Sequence, residues 1–169
     1  MELGVEFVTY EGEAPHGCSE AIWGDLCRIG LPKIAINIFK PSLQPVPVSA
    51  EVAGGRTGGI VIGYSREGAE LYLDFESENV WLLWRGDSSH TVVNTSLGAF
   101  RESLLQVDAR YPFYPSNRNL EMAEEAEAEL RQILVEIDGI ATADPDGFWS
   151  AFLDDVAVGD YAAQESPDL

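Results

Sequence analysis

Side chains suited to covalent or proton-transfer chemistry are few in this 169-residue chain, and they are poorly spaced for it. A nucleophilic triad needs Ser, Cys or Thr beside a base, usually histidine. The chain offers His16 in an expected loop and His90 beside an expected turn, neither in a recognisable motif. A structural zinc site takes about four Cys or His ligands at short spacings. Cys18 and Cys27 with two distant histidines do not supply that pattern. Asp144-Pro145-Asp146-Gly147 has the look of a calcium loop, but the third acidic position and the closing glutamate are missing. Gly54-Gly55-Arg56-Thr57-Gly58-Gly59 invites a phosphate-loop reading, yet it lacks the Lys-Ser/Thr ending and precedes a strand. Carboxylates are so abundant that a glycosidase-like pair is not excluded by number, and abundance singles out none. Trp23, Trp81, Trp84 and Trp149 could stack on a ligand, but three of the four fall on elements expected to face the core. No catalytic residue, metal site or cofactor is therefore assigned.

Charge says more. Lys and Arg number 10 against 29 Asp and Glu, a formal net charge of -19, while 46% of residues are hydrophobic. The apolar content is enough for a core and excludes wholesale disorder. The charge disfavours nucleic acid and anionic membrane as direct partners and suits a basic one, with plain solubility as the alternative. Residues 117–169 hold 14 acids and 2 bases, a net of -12, so the surplus concentrates in the C-terminal part. On one helix Cys18 and Cys27 would point to nearly opposite sides, which argues against a mutual disulfide and for free thiols in a reducing compartment. The longest apolar runs fall far below the roughly 18 residues of a membrane span, and the N-terminus lacks a basic region or cleavage site. A cytoplasmic location is expected.

The elements that must position any site follow from periodicity. Residues 3–10 read as an edge strand at best. Ser19 to Ile29 reads as an amphipathic helix capped by Ser19 and ended by Gly30, with a short strand from Ile34 to Phe39 after it. Prolines and glycines over residues 40–59 forbid a helix and confine any strand to an edge. Gly59–Tyr64, Ala69–Phe75, Val80–Trp84 and His90–Val93 carry the clearest β signal, and their short links allow only antiparallel neighbours. In the second of these Glu70, Tyr72 and Asp74 oppose an apolar row, which predicts one covered sheet face and one wet face. Leu97, Phe100, Leu104, Val107 and Tyr111 then mark a helix, and Leu120 to Ile137 a longer one. A third is expected to start at Asp144-Pro145 and to bury Phe148, Trp149, Phe152 and Val156. The expected architecture is α+β: an antiparallel meander of about four to six strands with helices on one face. Residues 1–158 form one domain in this reading, and 159–169 a flexible acidic tail.

Leu26-Cys27-Arg28-Ile29-Gly30-Leu31-Pro32, Asn79-Val80-Trp81, Val92-Val93-Asn94-Thr95-Ser96-Leu97-Gly98-Ala99-Phe100 and Phe148-Trp149 occur in an order and spacing that resembles the fourth subgroup of the SUKH superfamily. That superfamily supplies bacterial immunity proteins in polymorphic-toxin systems. The resemblance covers most of residues 20–157 and implies a non-enzymatic α+β domain that binds and neutralises a toxin. It transfers no contact residues, because the shared fragments mark structural junctions.

The functional expectation is an immunity protein that occludes a cognate, nucleic-acid-targeting toxin with a basic groove. The alternatives are a regulatory or scaffolding protein-binding module outside a toxin system, and an enzyme with a carboxylate pair. A specific interface takes about 800 Å² from each partner around a few aromatic or Arg anchors. Candidate contacts are the turn carboxylates Asp74, Glu76 and Glu78, the helix carboxylates Glu121, Glu124 and Glu125, and the aromatics Phe113 and Tyr114, with Tyr72 a further exposed ring. Oligomeric state is left open.

Overall fold

Ser19 accepts a hydrogen bond from the Ile22 amide (3.3 Å) and so starts α1, Glu20–Arg28. The helix ends at Gly30, whose φ of +76° is a left-handed conformation that an L side chain resists. Space forbids a side chain there as well: a Cβ on Gly30 would lie 2.1 Å from the Val8 carbonyl oxygen. This tight crossing lets β1 (Glu6–Val8) pair antiparallel with β2 (Leu31–Lys33), Val8 opposite Leu31. Arg101, nearly buried, fastens the same corner by donating from Nε to the Gly30 carbonyl (2.9 Å) and from its guanidinium to Asp25.

The computed structural model describes residues 4–48, 58–84 and 89–163. Most of the glycine-rich stretch, Gly54 to Thr57, lies outside them. A five-stranded antiparallel sheet runs in chain order: β3 (Phe39–Pro47), β4 (Gly59–Ser65), β5 (Glu70–Asp74), β6 (Val80–Leu83) and β7 (His90–Asn94). Proline-rich β3 occupies an edge, as missing N–H donors require. The chain then becomes helical: α2 (Leu97–Asp108), α3 (Leu120–Ile137) and α4 (Phe148–Val158). Ile60, Ile62, Leu71, Leu73, Leu82 and Val93 of the sheet join Phe100, Leu104, Leu130, Leu134, Trp149 and Leu153 of the helices in one core.

Four sequence expectations need correction. Ile34 to Ile38 is a turn, because the Asp108 carboxylate at the end of α2 accepts the amides of Ala35 (2.7 Å) and Ile36 (3.4 Å), and the strand lies one step earlier at Leu31–Lys33. The supposedly wet sheet face is not wet at β5: Glu70, Tyr72 and Asp74 are all buried. Tyr72 sits with Val61 and Leu83 in a second small core flanked by Val46, Val48, Tyr64 and Trp81, since a central strand has side chains of two neighbours around it. Helix α4 starts three residues later than Pro145 suggests. Asp144 spends its carboxylate on the Asp146 amide (3.0 Å) and its carbonyl on Gly147 and Ser150, which makes a turn ahead of the helix. Finally, Leu120 at the start of α3 is exposed, whereas Ala123, Leu130 and Leu134 are buried as the stripe predicts.

Residues 159–163 of the expected tail are held in place. Gly159 closes α4 with φ of +95°, and Tyr161 turns inward. The Tyr114 hydroxyl donates to the Val156 carbonyl (2.9 Å) and accepts the Tyr161 amide (3.0 Å), while the Ala163 amide donates to the Tyr114 carbonyl (3.0 Å). Residues 164–169 lie outside the described residues.

One buried polar network joins sheet to helices. Asn94, fully buried at the end of β7, accepts the Trp149 indole N–H on Oδ1 (2.9 Å) and donates Nδ2 to Asp138 Oδ2 (3.1 Å). Asp138, just past α3, also takes the amide and hydroxyl of Thr95 (2.7 and 3.2 Å). Ser96 separately caps α2 by accepting the Ala99 amide (3.0 Å). The Val-Asn-Thr-Ser passage is thus a three-way splice.

Two measurements check this account. Gly30→Ala adds both left-handed strain and a collision with backbone, so denaturant unfolding should show a loss of about 3 kcal/mol or more. Trp149→Phe leaves the Asn94 carbonyl oxygen unpaired and should cost about 1–3 kcal/mol. In a double-mutant cycle with Asn94→Ala, the coupling should reach about 1 kcal/mol, and strict additivity would disprove the network.

Candidate functional site

The turn between β5 and β6 separates its three carboxylates by role. Asp74 is 2% exposed and accepts the amide (3.0 Å) and hydroxyl of Ser77, so it builds the turn and is not a surface contact. Glu76 and Glu78 stand exposed on the same turn. Glu78 has φ of +59°, the left-handed region that glycine usually occupies and that a long side chain adopts at a cost.

On α3 the remaining carboxylates sort by partner. Glu127 pairs with Arg131 (2.6 Å) and Glu129 reaches Arg110 (3.7 Å). Glu121, Glu124 and Glu125 are exposed, and no ion pair joins any of them to a cation among the described residues. Separated by one and three to four positions, they crowd the first turns of the helix beyond its Asn119 cap. Glu121 repels Glu124 and Glu125 by about 0.2–0.5 kcal/mol per pair. The positive end of the helix dipole, with Glu121 in the first turn, offsets that repulsion, so the helix carries the stripe at little net cost.

The proposed aromatic anchors are core residues. Tyr114 is 4% exposed and forms the clasp on residues 156–163. Half-buried Phe113 meets the rings of Tyr111, Phe152 and Tyr161 edge-on, with centroids 5.8, 5.9 and 5.8 Å away. Tyr72, at 1% exposure, is likewise inside. A Phe-Tyr pair between two prolines has no period from which to read a direction, and the clasp partner Tyr161 lies far along the chain.

The structure instead opens a groove that no motif announced. It has a volume of about 210 Å³ and lies between the β4–β5 turn, the end of β6 and the start of α4. Trp84, 38% exposed, stands at one side, with Phe148, Phe152 and Tyr161 along the wall. Among the described residues Glu67, Asp146 and Asp155 supply three carboxylates to the same lining, against one cation, Arg66. Arg66 stands 3.9 Å from Asp155 and beside the Tyr161 hydroxyl. Burial raises the Asp155 carboxyl above the ordinary range and Asp160 adds to that, while Arg66 opposes both. Trp84 ends a strand in the sequence, but the convergence of residues near 66, 84, 148 and 161 is a product of the fold alone.

The residues first considered for chemistry are not assembled into a centre. His16 is exposed in its loop, and His90 packs against the Trp81 ring at 5.3 Å. Cys18 and Cys27 are free half-buried thiols, and burial pushes the Cys18 thiol up. Among the described residues no group of three His, Cys, Asp or Glu is placed to hold a metal ion, and no helix is long and apolar enough to cross a membrane.

The strain at Glu78 is directly measurable. Glu78→Gly relieves it and should raise the denaturation midpoint, a gain of up to about 1 kcal/mol. A loss of stability would show that the Glu78 side chain supports the turn.

Comparison with curated proteins and with solved structures found no match in either set. The family model described as SUKH-4 immunity protein matches residues 26–155. That span runs from the end of α1 through the Gly30 corner, the whole five-stranded sheet and most of α4. It includes the Asn94, Asp138 and Trp149 splice. The chain belongs to the SUKH-4 immunity protein family.

Proposed function

We infer that this protein protects its host cell by binding a cognate toxin directly and covering the surface with which that toxin works, and that it transforms nothing itself. The toxin in this reading attacks nucleic acid and so carries a basic groove, and the protein meets it in the cytoplasm. The observation that carries the reading is the unbalanced acidic face of α3, Glu121, Glu124 and Glu125, on a molecule of net charge -19. Evenly scattered acids would serve solubility alone. Placing three of them together on one helix makes a patch able to sit where phosphates would. Glu76 and Glu78, exposed at the β5–β6 turn, are a second contribution to the contact surface. The Gly30 corner and the Asn94 splice belong to the scaffold, which leaves recognition to these exposed surface positions.

The test takes the product of the adjacent gene as the candidate toxin and captures it by co-purification. The association rate should fall at least about tenfold between low and physiological salt, while dissociation changes far less. Replacing Glu121, Glu124 and Glu125 together by Lys should depress the association rate and flatten its salt dependence. A rate indifferent to both salt and these substitutions would remove the electrostatic mechanism.

A further inference from the structure

We propose that the groove between the β4–β5 turn and α4 receives an arginine side chain of the partner toxin, a contact that rests on the immunity reading and adds a second, shape-specific element to it. The groove combines two features that guanidinium groups seek. Its body is aromatic, with Trp84 half exposed and the edges of Phe148 and Tyr161 beside it, so a flat cation can stack there and an aliphatic stem can pack against Ala151. Its rim is acidic, with Glu67, Asp146 and Asp155 outnumbering Arg66 among the described lining residues.

Arg66 shows how such an occupant is held. Its guanidinium lies 3.9 Å from Asp155 and beside the Tyr161 hydroxyl, yet its side chain is 49% exposed, so it covers the groove only in part. Asp160 and Glu67, as well as Arg66, lie near Asp155, so among the described residues carboxylates outnumber the guanidinium at this end of the groove. A second guanidinium can therefore enter alongside, paired to the rim carboxylates. A purely aliphatic side chain gains from the walls alone, and the rim carboxylates repel an acidic one. The groove is thus suited to the basic residue type that a nucleic-acid-cleaving surface has in surplus.

The intact protein is titrated with blocked arginine, N-acetyl-arginine methylamide, while the Trp84 indole and the Ala151 amide are followed by NMR. Both should shift in a saturable way, and N-acetyl-leucine methylamide should move neither. The Ala151 shift should vanish in Trp84→Ala and weaken in Asp146→Asn, in variants whose melting temperatures match the parent. With the co-purified toxin, Trp84→Ala should weaken binding by about 30-fold or more, as a central anchor does. Arginine that leaves Trp84 and Ala151 unmoved, or toxin binding unchanged by Trp84→Ala, overturns the assignment. If arginine shifts both reporters but the parent protein binds no toxin, the immunity reading fails and the groove's chemistry stands.

Discussion

The buried amide of Asn94 is the point on which the tertiary arrangement turns. Three segments far apart in sequence must meet there: the end of β7, the end of α3 and the first turn of α4. Each brings a polar group into a place without water, where an unpaired one costs about 1–3 kcal/mol. Asn94 has one acceptor and one donor group on its side chain, and the network uses both, the first for Trp149 and the second for Asp138. An apolar residue in its place could fill the volume but could not pair either group. The network thereby specifies which helix lies over which strand, a selectivity that apolar packing by Phe100, Leu104 and Leu153 does not provide alone.

A second fastening works by exclusion. At Gly30 the chain crosses the β1 backbone so closely that no side chain fits, and Arg101 reaches from α2 to close the corner. These two junctions account for the fragments by which the family resemblance is recognised: Gly-Leu-Pro at one, Val-Asn-Thr-Ser and the late tryptophan at the other. Both lie in the interior. The surface is free to vary around them, which is the condition under which one scaffold can serve many partners.

Much of the fold was legible because the relevant forces are local. Apolar β-rich runs joined by short turns mark β4 to β7, and Ser19, Ser96 and Gly30 announce helix ends through their own backbone chemistry. The misreadings arose where a side chain chose a partner that the sequence does not rank. Asp144 before Pro145 has the form of a helix cap, yet its carboxylate closed a turn instead. Glu70 and Asp74 look like solvent-facing alternates, but a central strand buries both of its faces when its neighbours carry Val61, Tyr64 and Trp81. For the surface, the helix carboxylates were legible because they fall off the apolar stripe of α3. The aromatic candidates were not, since Tyr114 is buried and Phe113 half-buried against Tyr161, nearly fifty positions away. The groove was invisible for the same reason, being assembled from four separated segments.

The crowded stripe on α3 has a thermodynamic corollary. Glu121, Glu124 and Glu125 push against one another, while the amino end of the helix, with Glu121 in its first turn, attracts them, so the two effects largely offset in the bare chain. Under the immunity reading, a cationic surface laid on them would add attraction across the gap to a helix already able to carry the charge. Added electrolyte would weaken that grip far more than it alters the helix, so ionic strength would tune complex affinity and leave fold stability nearly unchanged.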